Sequence, residues 1–399
     1  MTRKERILRE LSLGLSYVLV AALAVVITLA LTVGTPYLGK GNFTKLEQLQ
    51  QLLEEQYIDI DKVDISKLED AAAGAMVEAL GDRWSYYLSA EEYAELMEQN
   101  SNSYVGIGIS IVARTEMDGV EITRVEPDGS AQKAGILPGD ILIEVDGKSL
   151  LGRDTDYCRD LVRGKAGTSL SVKVLREGKT YDYILTRQVI HIVVAEGQML
   201  PDNIGLVTIA NFDERCYSET KAAIKKLVDE GAKALVFDVR FNPGGYKQEM
   251  VEILDDLLPE GVLFRSVDYA GISVEDRSNA ECLELPMAVV VNGESYSAAE
   301  FFAAALREYD WATVVGTQTC GKGNFQYTYQ FTDGSGVGLS VGKYYTPNGV
   351  SLADQGGLTP DVVVEVDEKT EAMIYAGLIK PEEDPQIQAA VQALQSKLK

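Results

Sequence analysis

PMAVVVNGESYSAAEFFAAALREYDWATVVGTQTCGKGNFQ, residues 286–326, decides the reading of this chain. Met287 to Val291 is a short apolar, β-branched run, the pattern of a fully buried strand. Asn292-Gly293 turns the chain, and Ala298 to Leu306 joins strong helix formers to an apolar stripe. Ser297 therefore falls where a strand becomes a helix. The free N–H groups of a helix N-terminus favour developing negative charge, so this is a good place for a nucleophile. After a second apolar run, Ala312 to Val315, comes Gly321-Lys322-Gly323, and a lysine between glycines sits on backbone able to approach another segment closely. The sole histidine, His191, lies in the apolar strand-like run Val189 to Val193, where a structural place fits better than a catalytic one. Lysine is then the base left for a serine. It must lose its proton first, and burial in a dry site lowers a lysine pKa; Ser-Lys pairs are a variant of the hydrolase triad.

The segments Ser295-Tyr296-Ser297-Ala298-Ala299-Glu300 and Gly321-Lys322-Gly323-Asn324-Phe325-Gln326 together resemble the carboxyl-terminal processing peptidases, also called tail-specific proteases. The spacing of 25 residues from Ser297 to Lys322 is the family's. The resemblance implies a serine endopeptidase with Ser297 as nucleophile, Lys322 as general base and Gln326 as the partner that orients the lysine. It also implies an α/β core of the type shared by the Clp protease and crotonase superfamily, and no metal or organic cofactor. Cys320 departs from the family, which usually has an aromatic residue there.

Upstream, the buried-strand pattern Ala234 to Asp238 runs into Val239-Arg240-Phe241-Asn242-Pro243-Gly244-Gly245, similar to the family's Asp-x-Arg-x-Asn-Pro-Gly-Gly loop. A glycine pair opening a helix leaves N–H groups bare toward a substrate carbonyl, an oxyanion-hole design. The resemblance assigns one donor to Gly244 or Gly245 and the other to Ala298. Late motifs at Tyr344 to Gly349, Gly356 to Asp361 and Asp384 to Ala390 also resemble the family. The peptidase core is thus expected over 189–399, with a helical tail.

Residues 103–187 resemble a PDZ domain. Val105-Gly106-Ile107-Gly108-Ile109 is a glycine-rich turn entering an alternating strand. Its N–H groups can hold a peptide carboxylate, and the strand edge can accept the peptide by β-augmentation. A short helix is expected after Pro127-Asp128-Gly129, with Ser130 as N-cap and Gly135 as stop. A second is expected over Thr155 to Arg163. The family couples its PDZ domain to the active site through an arginine after this helix, here Arg163. The partners implied are proteins or peptides with apolar C-terminal tails.

The first hundred residues divide differently. Residues 1–10 carry Arg3, Lys4, Arg6 and Arg9, and residues 11–34 carry no charge. Tyr17 to Val33 is apolar enough to span a bilayer, and the basic flank would stay cytoplasmic. An uncleaved anchor with the catalytic part outside the cell membrane is the expectation; a cleaved signal peptide is the competing reading. Residues 41–100 read as helical, with Gly81 to Tyr87 an aromatic-rich turn, and the resemblance implies homodimers built on these helices. The acidic run Asp59 to Asp64 lacks the turn glycine and terminal Glu of a calcium loop.

The net charge of −24, from 61 acidic and 37 basic residues, argues against nucleic acid as a partner. Cys158, Cys216, Cys282 and Cys320 are scattered, without a CxxC pair, and support neither a metal site nor a redox motif. Two other classes stay open at this level. One is a PDZ scaffold with a dead core; the other is a crotonase-like acyl-CoA enzyme, against which the PDZ pattern and the apolar N-terminus both speak.

Overall fold

The computed structural model describes residues 44–114 and 119–398. The basic tail 1–10 and the apolar segment 11–34 lie outside them. Among the described residues no helix is long and apolar enough to cross a membrane. The chain divides into two units, one ending at Glu69 and one beginning at Asp70.

The first unit holds α1 (Thr44–Gln56), a 3-10 turn at Ile60–Lys62 and the start of α2 (Ile65–Glu78). Leu46, Leu49 and Leu52 of α1 are exposed. In the second unit the aromatic turn is shorter than its sequence implied. Tyr86–Leu88 is a strand, β1, and the turn itself is closed by Asp82, which accepts from Trp84 N–H and Ser85 Oγ. Aromatic residues such as Tyr86 and Tyr87 favour extended backbone once a partner strand is present. Ser89 then caps α3 (Ala90–Asn100) in a reciprocal capping box with Glu92.

Strand β2 (Ser103–Gly106) leads into a five-stranded antiparallel sheet with a short sixth strand on one member. Its elements are β3 (Ile109–Ala113), β4 (Val120–Val125), α4 (Ser130–Ala134), β5 (Ile141–Val145), β6 (Lys148–Ser149), α5 (Thr155–Val162), β7 (Ser169–Arg176) and β8 (Lys179–Thr186). The order is β3-β4-β5-β7-β8, with β6 on β5. Ile107, Ile122, Leu142, Leu150 and Val174 fill its core. Gly129, not Ser130, occupies the N-cap of α4. Ser130 is the first helical residue, and its hydroxyl reaches the Ile107 carbonyl at 3.5 Å. Gly135 ends the helix at φ 86°, as glycine permits. The chain leaves through β9 (Gln188–His191), which pairs with β2.

The remaining residues build an α/β core. Its strands are β10 (Ala195–Leu200), β11 (Ile204–Ile209), β12 (Ala234–Asp238), β13 (Gly261–Asp268), β14 (Ser273–Ser278), β15 (Met287–Val291), β16 (Ala312–Gly316), β17 (Asn324–Gln330), β18 (Gly336–Tyr345) and β19 (Val362–Val363). Its helices are α6 (Cys216–Asp229), α7 (Lys247–Leu257), α8 (Ala298–Glu308), α9 (Leu352–Gln355), α10 (Glu368–Tyr375) and α11 (Pro385–Lys397). The main sheet runs β10-β11-β12-β15-β16-β19 and is parallel except for β10. Strand β15 is buried at all five positions, as expected of a parallel strand covered on both faces. Helices α6, α7 and α8 supply one cover, with Phe237 and Phe302 ring to edge. Helix α11 supplies the other, through Ile387, Ala390 and Leu394. A second, antiparallel sheet sets β18 between β1 and β13, with β17 also on β18. The loops after β12, β15 and β16, neighbours in the main sheet, open beyond the carboxyl ends of their strands. That is where α/β sheets place ligands.

Candidate active site and peptide cleft

Ser297 stands at that end of β15, one residue before α8. Its backbone is at φ 51° and ψ −119°, a strained conformation for a residue with a side chain, costing on the order of 1–3 kcal/mol. Two interactions hold it there. Ser297 N–H donates to Glu300 Oε2 at 2.9 Å, and Tyr296 N–H donates to the Asn242 carbonyl at 3.0 Å.

Glu300 is the residue to which the sequence reading gave no role. It is fully buried on an otherwise apolar helix. Besides Ser297, its carboxylate accepts Lys322 N–H at 2.9 Å, Gly321 N–H at 2.7 Å and Thr319 Oγ1 at 2.5 Å. Burial pushes its carboxyl above the usual range, and these four hydrogen bonds oppose the shift. One side chain thus joins the serine turn to the lysine loop. The available signal was the lone charge in Ala298 to Leu306.

The glycines around Lys322 make the close approach their sequence implied. A Cβ on Gly321 would lie 2.8 Å from the Gly356 carbonyl carbon, and one on Gly323 would lie 2.6 Å from the Ala353 Cβ. Thr319 Oγ1 also accepts Leu358 N–H at 2.7 Å, so the Gly356-Gly357-Leu358 motif braces the lysine loop. The Lys322 ammonium lies over the Trp84 ring, 4.7 Å from its centroid, and Arg83 stacks on the same residue at 4.2 Å. Burial lowers the Lys322 pKa below the ordinary lysine value. Cys320, Glu300 and Asp82 pull it back up, and Arg83 pushes it down. Trp84 comes from a segment far in sequence from Ser297 and Lys322; the sequence marks Gly81 to Tyr87 as an aromatic-rich turn but gives it no place beside the lysine. Gln326 directs its amide elsewhere, donating to Ser340 Oγ at 3.1 Å and to the Asn324 carbonyl at 3.2 Å.

The glycine pair after β12 packs directly on the serine turn. A Cβ on Gly244 would stand 2.9 Å from the Ser297 Cβ and 3.1 Å from the Ala298 nitrogen. Gly244 N–H is already committed to Asn242 Oδ1 at 2.9 Å. The N–H groups of Gly245 and Ala298 have no acceptor among the described residues. Arg240 fixes the rest of this loop. It is buried and forks onto Asp238, with further bonds to Asp384 and Gln386, which explains the late Asp384-Pro385-Gln386 motif. His191 is exposed at the end of β9, opposite Ser103.

In the small sheet, a cleft of about 380 Å³ opens between β3 and α5, lined by Gly106, Ile109, Ile111, Thr155, Arg159 and Val162 among others. Val105 belongs to β2, whereas Ile107 turns its side chain into the core. The N–H groups of Ile107 and Gly108 have no acceptor among the described residues. Arg163 ends α5 and reaches Glu98 of α3 at 2.7 Å. The four cysteines are unpaired, and among the described residues no cluster of His, Cys, Asp or Glu could hold a metal ion.

Comparison with known proteins gives this arrangement its family. Residues 203–364 match the model of peptidase family S41, and residues 121–176 match a PDZ domain. A "Probable CtpA-like serine protease" of Staphylococcus haemolyticus is 32% identical over 85% of this chain and 69% of its own length. A protein of the same description from Staphylococcus aureus (strain COL) is 32% identical over 82% of this chain and 65% of its own. The solved structure of an S41 protease from Bacteroides fragilis NCTC 9343 shares 15% identity, covers 82% of this chain and 90% of its own, and superposes with a TM-score of 0.51, a likeness of fold alone. The chain belongs to the CtpA-like serine proteases of peptidase family S41 and carries a PDZ domain.

Proposed function

We propose that the protein is a membrane-anchored endopeptidase that selects C-terminal tails through its PDZ cleft and cleaves by a Ser-Lys acyl-enzyme mechanism. The observation that carries this reading is the Glu300 carboxylate, bonded at once to the backbone of Ser297 and of Lys322. It keeps nucleophile and base in one frame. The Ser297 hydroxyl passes its proton to the neutral Lys322 amine as Oγ attacks the scissile carbonyl. The oxyanion takes the N–H groups of Gly245 and Ala298, the two left uncommitted, while Gly244 supplies close approach. Lys322 returns the proton to the leaving amine, and water then hydrolyses the ester with the same base. Gln326 orients the lysine once its amide leaves Ser340.

In the cleft, the free N–H groups of Ile107 and Gly108 receive the tail carboxylate, and Ile109 and Val162 suit an apolar last side chain. Arg163, through Glu98, ties this cleft to α3. The apolar segment before Thr35 anchors the chain with its catalytic part outside the cytoplasm, and the exposed leucines of α1 pair two copies.

Ser297→Ala should abolish both peptide hydrolysis and labelling by a fluorophosphonate probe. Lys322→Arg should be inactive at every pH where the protein is folded, because arginine stays protonated. The wild-type rate should rise with pH through the depressed lysine pKa. Retained activity in Lys322→Arg would remove lysine from the role of base.

A further inference from the structure

The loop that presents Gly245 is held from its far side by a segment with no place in either catalytic motif. Phe212 brackets the glycine. Its N–H donates to the Gly244 carbonyl and its carbonyl accepts Tyr246 N–H, both at 2.7 Å. A Cβ on Gly245 would lie 2.4 Å from the Phe212 carbonyl carbon, so the two segments are in backbone contact. Phe212 is itself fully buried and packs on Phe302 of α8. Wherever residues 211–213 sit, the Gly245 N–H must follow.

What positions residues 211–213 is a reciprocal pair of amides. Asn102 Nδ2 donates to Asn211 Oδ1 at 3.1 Å, and Asn211 Nδ2 donates back to Asn102 Oδ1 at 2.8 Å. Asn102 Nδ2 also reaches the Glu214 carbonyl at 3.0 Å, and Asn211 Oδ1 accepts Asp213 N–H at 3.0 Å. Asn102 is buried and holds φ 48°, a left-handed conformation that asparagine tolerates better than most residues. The same junction is tied by Glu214 N–H to the Asn100 carbonyl at 3.1 Å and by Arg215 Nη1 to the Ser101 carbonyl at 2.8 Å. Asn211 is half-buried, and an amide pair so enclosed with every polar atom bonded is worth most as a geometric constraint, because a shift leaves a donor or acceptor unpaired.

We infer that Asn102 and Asn211 are positioning residues for the oxyanion loop, acting through Phe212 on the Gly245 N–H. This rests on the peptidase reading above. A donor displaced from the oxyanion loses transition-state stabilisation and leaves ground-state binding nearly intact. The effect should therefore fall on kcat and spare KM.

The test uses Asn102→Gly, which keeps the positive φ accessible while removing the amide, and Asn211→Ala as a second variant with no such backbone demand. Each is assayed as the full chain on a short unstructured peptide and with a peptide boronate that mimics the tetrahedral intermediate. The expected result is a fall in kcat of about tenfold or more, KM within about twofold, and a parallel loss of boronate affinity, with melting still cooperative. If either folded variant keeps its kcat, or loses kcat with boronate affinity unchanged, the inference is overturned. Activity surviving in Ser297→Ala would instead overturn the peptidase reading, so the two failures are distinguishable.

Discussion

Two buried carboxylates, one in each half of the second unit, are satisfied by opposite means. In the PDZ domain Asp140 is almost wholly buried and faces Arg176, whose Nε and Nη2 both reach it at 2.6 Å, with Leu137 N–H at 3.0 Å. Burial pushes its carboxyl up, but the guanidinium and the amide hold it below the usual range. In the peptidase core Glu300 is as deeply buried, yet its four partners are all neutral, and its carboxyl stands above the usual range. An ion pair serves a carboxylate whose task is to hold a strand end. In the proposed mechanism it would not suit Glu300, because a lysine drawn into such a pair keeps its proton. By taking the backbone N–H of Lys322, Glu300 fixes the loop while the amine lies over Trp84.

The sharpest way to break this comparison is at Glu300. Alanine there strands three backbone N–H groups and the Thr319 hydroxyl, each a loss of about 1–3 kcal/mol when left unsatisfied. Expected is loss of all measurable hydrolysis, together with a melting temperature lowered by ten degrees or more. Glu300→Gln should fold better but stay impaired, since its amide nitrogen meets donors where an acceptor is required. A Glu300→Gln enzyme with near-normal kcat would show that the charge and both oxygens are dispensable.

The PDZ carboxylate should respond less, and differently. Asp140→Asn removes one charge of a pair in which Arg176 keeps about a quarter of its exposure. A loss of about 2 kcal/mol is expected, below the 3–5 typical of fully buried pairs. The ordinary pair gives stability above the unfolded carboxylate pKa and loses it as pH falls through the depressed folded value. Wild type and Asp140→Asn should therefore converge in melting temperature at acid pH. Catalysis on a short peptide should be unchanged, while KM for a tailed protein should rise. A drop in kcat on the short peptide would mean that the two halves are not separable in this way.

The sequence shows unequal amounts of each site. That Ser297, Lys322 and the Gly244-Gly245 loop belong together was legible only through motifs that resemble one family; read locally, a strand-to-helix switch and glycine-rich turns mark no site. The sheet was legible locally: β15 is an unbroken apolar run, and β12 and β16 are apolar but for Asp238 and Thr313. Trp84 over Lys322 was not, nor was the Asn102–Asn211 pair, whose members stand 109 residues apart. Such contacts are made by folding, and a single asparagine or tryptophan carries no periodicity. Gln326 shows the converse, for its motif position named a partner while its amide bonds to Ser340, on the neighbouring strand.

A third carboxyl, only half-buried, tests the principle with the smallest effect. Among the described residues, Asp213, next to Phe212, has neither a cation nor a set of neutral donors around its oxygens. Burial raises its pKa to about 7, and the nearby Glu249 and Glu214 add to the shift. A carboxyl raised in this way favours folding only while it is protonated. Below the ordinary aspartate value near 4 it costs nothing, as both folded and unfolded chains carry the proton. As pH rises from there to about 7 the unfolded chain ionises first, and stability is progressively lost; above 7 the deficit is constant. Asp213→Asn removes the ionisation and so should raise the melting temperature by a few degrees at pH 8, by less at pH 5, and not at all near pH 3.5. Thermal melts of both proteins across that range measure it directly. A stabilisation independent of pH would point to the packing of the asparagine, and a destabilisation at pH 8 would mean that the Asp213 carboxylate is held by a favourable contact in the folded chain.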